Sequence, residues 1–113
     1  MGTRHLITVY IDREYKVAQY GQWDGYPEGQ GLTTLHFLRD EMDEDVFKQA
    51  VRNSSYIDPK ELTKLWEKYG MRSDGLVTME DAERMKKSHP EYSRDTGAKI
   101  LGIIQSKPGG MKL

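Results

Sequence analysis

Apolar and polar positions alternate from the start of the chain. In residues 4–11, His5, Ile7, Val9 and Ile11 fall on one face and Leu6, Thr8 and Tyr10 on the other. That is the period of a strand with one face against a core. Asp12-Arg13-Glu14 make a polar break. Residues 15–20 then extend again, with Tyr15 and Val17 on one face and Ala18 and Tyr20 on the opposite one. Two β-rich runs separated by about three polar residues predict a hairpin, although its turn lacks glycine. A lone hairpin is marginal in water, so it must pack on the helices that follow.

Residues 21–31 hold four glycines and a proline. No regular element fits there, and tight or left-handed turns are expected. From Leu32 the spacing predicts a helix with Leu32, Leu35, Phe37 and Leu38 inward, running into the acidic residues 40–45. A short helix carrying Val46, Phe47, Ala50 and Val51 follows. The next start is the clearest: Asp58 is an N-cap, Pro59 takes the first helical position and Glu61 completes a capping box. Leu62, Leu65, Trp66 and Tyr69 fall at i, i+3, i+4 and i+7, and Gly70 stops the helix. Thr78, with Asp81 three residues on, caps a helix carrying Met79, Ala82 and Met85. Arg84, Lys86 and Lys87 near its end complement its dipole. After His89-Pro90, Ser93 caps a last helix with Ala98, Leu101 and Ile104 in register, and residues 106–113 read as a frayed tail.

The expected fold is therefore α+β. A single domain over residues 1–113 has an N-terminal antiparallel hairpin (1–20), a glycine-rich loop (21–31), about five short helices (32–105) and a tail (106–113).

Charge and composition narrow the function. With 113 residues the chain can bury one modest core. Seventeen basic against eighteen acidic residues, net −1, argue against a dedicated nucleic-acid binder and against attraction to an anionic membrane. No cysteine is present, which excludes disulfides, zinc–thiolate and iron–sulfur sites and a Cys nucleophile. No apolar run approaches a membrane span and no signal-peptide pattern opens the chain, so a cytoplasmic location is expected. No cofactor or metal is expected.

Candidate chemistry is sparse. The glycine-rich loop leads through Gly29-Gln30-Gly31 into a helix whose N–H groups can meet an anion. Gln22, Trp23, Asp24, Tyr26 and Gln30 are its candidate binding residues. It has no Lys or Arg and matches neither a P-loop nor a dinucleotide fingerprint. The structural alternative is a corner in which Trp23 and Tyr26 plug the core. Residues 70–81 faintly resemble a calcium-binding EF-hand loop, with Asp74, Gly75 and Asp81 in place. Gly70 and Arg72 stand where carboxylates belong, so a connection without metal is expected. Asp40, Glu41, Asp43, Glu44 and Asp45 form an acidic run. It is a solvated helix end, a divalent-ion patch or a surface imitating nucleic-acid charge. His5, His36 and His89 show no ligand spacing, and His5 on the inward strand face reads as a core histidine. Thr3 near the terminus invites an amino-terminal-nucleophile reading, which Met1-Gly2 ahead of it closes.

Three blocks of the sequence carry a resemblance. They are Thr3-Arg4-His5-Leu6-Ile7, the stretch 15–27 (YKVAQYGQWDGYP) with Gly29-Gln30-Gly31, and Ser93-Arg94-Asp95-Thr96-Gly97-Ala98 before Ile100-Leu101. The chain resembles an uncharacterised family of small proteins from phages, bacteria and fungi over most of its length. The resemblance implies no activity. Longer members continue into another strand pair, so it implies that this chain completes its sheet through an exposed strand edge, as a homo-oligomer or with another chain.

Two functions remain. One is a non-catalytic binding or inhibitor protein, phage-encoded and acting on a host or defence protein. The other is a small-molecule hydrolase or ligand sensor built on the loop, with Asp24 as acid or base and Arg4, His5 or Arg94 as partners.

Overall fold

The hairpin forms with a tighter turn than its polar break suggests. In the computed structural model, which describes residues 2–71 and 75–113, β1 (His5–Ile11) and β2 (Glu14–Gly21) pair antiparallel. Only Asp12 and Arg13 lie in the loop, both with positive φ (52° and 67°). Two left-handed residues give the primed turn whose twist matches the strands, here without glycine. The register pairs His5 with Gly21 and Val9 with Val17, then shifts so that Tyr10 faces Tyr15. Lys16 is the extra residue of a β-bulge. The bulge moves Tyr15 off the Val17 face, correcting the simple alternation, and sets its ring edge-on to Tyr10 at 4.9 Å.

Ile7, Val9 and Ile11 with Val17 turn inward onto the core. Its other walls are α2 (Glu44–Asn53), with Phe47, Ala50 and Val51, and α5 (Ile100–Gln105), with Ile100, Leu101 and Ile104. Asp43 caps α2 by accepting the Val46 N–H (3.2 Å). Ala98, Leu101 and Ile104 are buried as their spacing predicts, but α5 starts later than expected, after the 3₁₀ turn Gly97–Lys99. Ser93 does not cap it, because its hydroxyl accepts the Asp95 N–H instead (3.1 Å).

The helix beginning near Leu32 departs most from its pattern. The short α1 (Leu32–His36) is flanked by π-helical turns at Pro27–Gly31 and Phe37–Glu41. Wider i→i+5 turns rotate the apolar positions out of a 3.6-residue phase. Phe37 alone is buried there, its ring 5.3 Å from that of Phe47, while Leu32, Leu35 and Leu38 stay exposed.

At α3 (Pro59–Lys68), Asp58 accepts the Lys60 N–H (2.8 Å), but Glu61 pairs with Lys112 (2.7 Å) rather than closing a capping box. Leu62, Leu65, Trp66 and Tyr69 are half-buried. Thr78 caps α4 (Met79–Ser88) through the Asp81 N–H (3.1 Å); Met85 is buried, whereas Met79 faces solvent.

The tail is held, not frayed. Ser55 accepts the Leu113 N–H (2.8 Å) and donates to Met111 (3.0 Å), and Ile57 donates to Leu113 (2.7 Å). The buried Ser54 hydroxyl donates to Ala50 (2.7 Å) and accepts the Met111 N–H (3.2 Å). The tail residues Met111 and Leu113 lie more than fifty positions from Ser54, Ser55 and Ile57, beyond any local signal in Pro108-Gly109-Gly110. Among the described residues, no helix is long and apolar enough to cross a membrane.

Left-handed backbone is costly for a side chain such as Arg13. Arg13→Gly is expected to stabilise the protein by about 0.5–1 kcal/mol, part of the αL strain being offset by glycine's unfolded-state freedom. A urea midpoint that stays put or falls would show that the turn is unstrained.

Candidate functional site

The loop leaving β2 meets residues 93–98, and two of the three sequence blocks thereby become one surface. Gln19, on the inner face of β2, donates through Nε2 to the Ser93 carbonyl (3.1 Å). The Gln22 N–H donates to the Arg94 carbonyl (3.0 Å). The Ala98 N–H donates to Gln30 Oε1 (2.8 Å). Within the loop, Asp24 sits at φ 57° and its carbonyl accepts the Gln30 N–H (2.8 Å), while Gly25 donates to Thr3 (3.0 Å). Gly97 is also left-handed, and a Cβ there would lie 2.6 Å from Gln30 Oε1.

Asp95 is the hub of this surface. Its Oδ1 accepts the Trp23 indole N–H (2.8 Å) and its Oδ2 the Lys86 ammonium (3.0 Å). The Lys86 bond above all, helped by the indole and by Arg94, holds the Asp95 carboxyl below its ordinary range despite some desolvation. Two open clefts meet at this residue. One, of about 490 Å³, is lined by Trp23, Asp24, Glu28, Gln30 and Lys99. The other, of about 390 Å³, lies against Trp66, Lys86, His89, Tyr92 and Arg94. In the second, His89 stacks on Tyr92 and bonds Glu91 (3.2 Å). Burial pushes the Tyr92 hydroxyl up to about 12, and that hydroxyl donates to the Lys112 carbonyl (3.0 Å).

The loop is a structural corner, but not the expected one. Trp23 and Tyr26 are exposed and plug nothing, because the indole is drawn outward to Asp95 and the loop's polar groups make the joint. Gln22 and Gln30 act through that joint, whereas Asp24 and Tyr26 contribute their backbone carbonyls to the loop and expose their side chains. Among the described residues no hydrogen bond or ion pair links any two of Arg4, His5, Asp24 and Arg94, although the Gly25–Thr3 and Gln22–Arg94 backbone bonds bring their segments together. Arg4 and Arg94 are exposed, and Arg94 contributes its carbonyl. The His5 ring lies against the Cα of Gly21, with neither nitrogen hydrogen-bonded among the described residues.

The acidic run is divided among local partners. Asp40 meets His36 (2.9 Å) and Arg39 (3.1 Å), and Glu41 meets His36 (3.1 Å). Asp43 caps α2. Glu44 pairs with Lys48 (2.7 Å), a bond that lowers its pKa, and Asp45 is exposed. Of the EF-hand-like stretch, Arg72 and Asp74 lie outside the described residues. Asp81 lies against Gly70 and near Arg84 (3.7 Å). No group of three metal-ligating side chains occurs among the described residues.

Sequence reasoning missed Asp95, Lys86, Glu91 and Tyr92 as a group. Trp23 and Asp95 are 72 positions apart, and their only shared signal is that both lie in the blocks carrying the resemblance. No protein-family model matches the chain, and no curated protein or solved structure matches it either.

Two measurements test the joint. Gly97→Ala combines left-handed strain with displacement of the Gln30 amide, and should destabilise the fold by about 1–3 kcal/mol in urea melts. A loss no larger than that of Gln30→Ala would show that the contact relaxes freely. The second is a pH titration. A depressed carboxyl pKa contributes stability above the ordinary Asp range, lost as pH falls through the depressed value. Both partners are well exposed, so the net contribution is at most about 1 kcal/mol. In a Trp66→Phe background, Trp23 emission should change in acid with a midpoint below that of an ordinary aspartate. Asp95→Asn should remove the transition; its persistence would assign it to another group.

Proposed function

We propose that this protein is a non-catalytic binding module that engages another protein through the outer face of its hairpin. The observation that supports this is the composition of that face. One side of the sheet covers the core, while the other presents Leu6 (59% exposed), Tyr10 and Tyr15 (61% each) and Tyr20 (46%) to solvent. Thr8 and Ala18, both exposed, lie between them. Tyrosine supplies large contact area at low entropic cost and a hydroxyl for the rim, which is why it is enriched where proteins bind one another. A contiguous exposed patch of this kind marks an interaction surface more often than chance.

Two further points favour a binder over an enzyme. No hydrogen bond or ion pair joins any two of the four candidate catalytic side chains among the described residues. In the acidic run, Asp40 and Glu44 are paired with Arg39 and Lys48, while salt screens the remaining charge beyond about 8 Å. The aromatic face, not residues 40–45, is therefore the contact surface in this reading. A phage-encoded protein acting on a host or defence protein, the first of the two functions left by the sequence, would use this face.

The test compares Tyr20→Asp with charge reversal at Asp45. A stoichiometric partner captured by the wild-type protein should lose at least about 2 kcal/mol, or roughly thirtyfold, of its affinity for Tyr20→Asp. Asp45→Lys should bind within about threefold of wild type. Equal binding of Tyr20→Asp and wild type, at unchanged circular dichroism, overturns the reading.

A further inference from the structure

The two edges of the sheet are treated differently. Along β2, the Gln22 N–H points away from β1 to the Arg94 carbonyl, and the Tyr15 carbonyl accepts the Tyr56 hydroxyl (2.7 Å). Backbone groups alternate in direction along a strand, so Gly21, Gln19 and Val17 turn toward β1. Their partners His5, Ile7 and Val9 therefore bond β2. The N–H and C=O groups of Leu6, Thr8 and Tyr10 point to the opposite edge, where none is bonded among the described residues. From His5 to Ile11 there is no Lys, Arg, Asp, Glu or Pro. The charges and proline that normally blunt an edge strand are missing from β1, while the β2 edge is occupied at both ends.

We infer that β1 pairs antiparallel with β1 of a second copy of this chain, giving a four-stranded sheet with Thr8 on the two-fold axis. Charge complementarity selects that register. Arg4, exposed and without an ion pair among the described residues, stands just before β1. Asp12 stands just after it and uses one oxygen for Arg52 (2.9 Å), leaving Oδ1 for another donor. An antiparallel pair centred on Thr8 sets each Arg4 opposite the Asp12 of the second copy. The same register puts Leu6, Thr8 and Tyr10 in hydrogen-bonded positions, as their outward backbone groups require. On the outer face Leu6 then meets Tyr10 of the second copy, an aliphatic–aromatic cross-strand pair. A slip by one residue would face bonded against unbonded backbone groups. A slip by two would separate both charge pairs. The contact is isologous and closes on itself, so it yields a dimer rather than a fibre. The inference does not depend on the partner reading, since the protein alone shows its oligomeric state.

Sedimentation of the isolated protein at about 100 µM, a level suited to a small interface, should give twice the 13.1 kDa chain mass. Thr8→Lys and Thr8→Glu each place like charges on the axis, so each variant alone should dissociate about tenfold more readily. Mixed in equal amounts, they should associate at least as tightly as wild type. Circular dichroism and urea midpoints establish that both variants fold. A second pair, Leu32→Lys and Leu32→Glu on exposed α1, should leave self-association unchanged. A monomeric wild-type protein at this concentration overturns the inference. So does a dimer unaffected by either Thr8 variant, or one whose mixed variants stay apart.

Discussion

Two glutamine side chains join the first quarter of the chain to the last. Gln19 and Gln30 reach residues 93–98 from opposite ends of the glycine-rich loop, one donating to Ser93 and the other accepting from Ala98. A two-stranded sheet has too little area to hold itself together, and here its inner face is completed by the helix that this joint delivers. α5 enters beneath β1 and β2 because the Gly97–Lys99 turn is fixed against the loop. Ile100, Leu101 and Ile104 then reach Val17, Ala50 and Val51. Gly97 is left-handed at this contact, and a Cβ there would displace the Gln30 amide from its present position.

Elements whose physics is local were legible in the sequence. The alternation of β1 set its faces correctly, and Asp58 and Thr78 cap helices where their spacing placed them. The fold class followed from the order of these elements. What the sequence hid depends on a partner far along the chain. The bulge at Lys16 exists only in the register of two strands, and it reverses Tyr15. The π turns around α1 defeat a 3.6-residue reading and leave three leucines in solvent. The tail resembled a frayed end because Ser54 and Ser55, which hold it, give no sign of doing so.

The candidate site shows the same division. Glycines in residues 21–31 announced an unusual backbone, but not whether it served a ligand or a joint. Trp23 was legible as a residue of interest, and its partner was not. Asp95 acquires its role only when Lys86 from α4 arrives beside it. In the acidic run, composition suggested one continuous field, whereas Asp40 and Glu44 are paired with Arg39 and Lys48 and Asp43 is taken up by a helix cap.

The distance along the chain between joined residues also bears on how the protein is made. Contacts such as Gln19–Ser93 and Trp23–Asp95 close loops of more than seventy residues, and such closures delay folding because their entropy must be met before any contact forms. A chain emerging from the ribosome amino end first has its hairpin ready long before α5 exists to cover it. During that interval, Ile7, Val9, Ile11 and Val17 face water beside an unpaired strand edge. The hairpin is therefore the segment most prone to misassociation during synthesis. A holding chaperone that recognises short apolar β-segments would have its binding site there and would be released when residues 93–104 emerge.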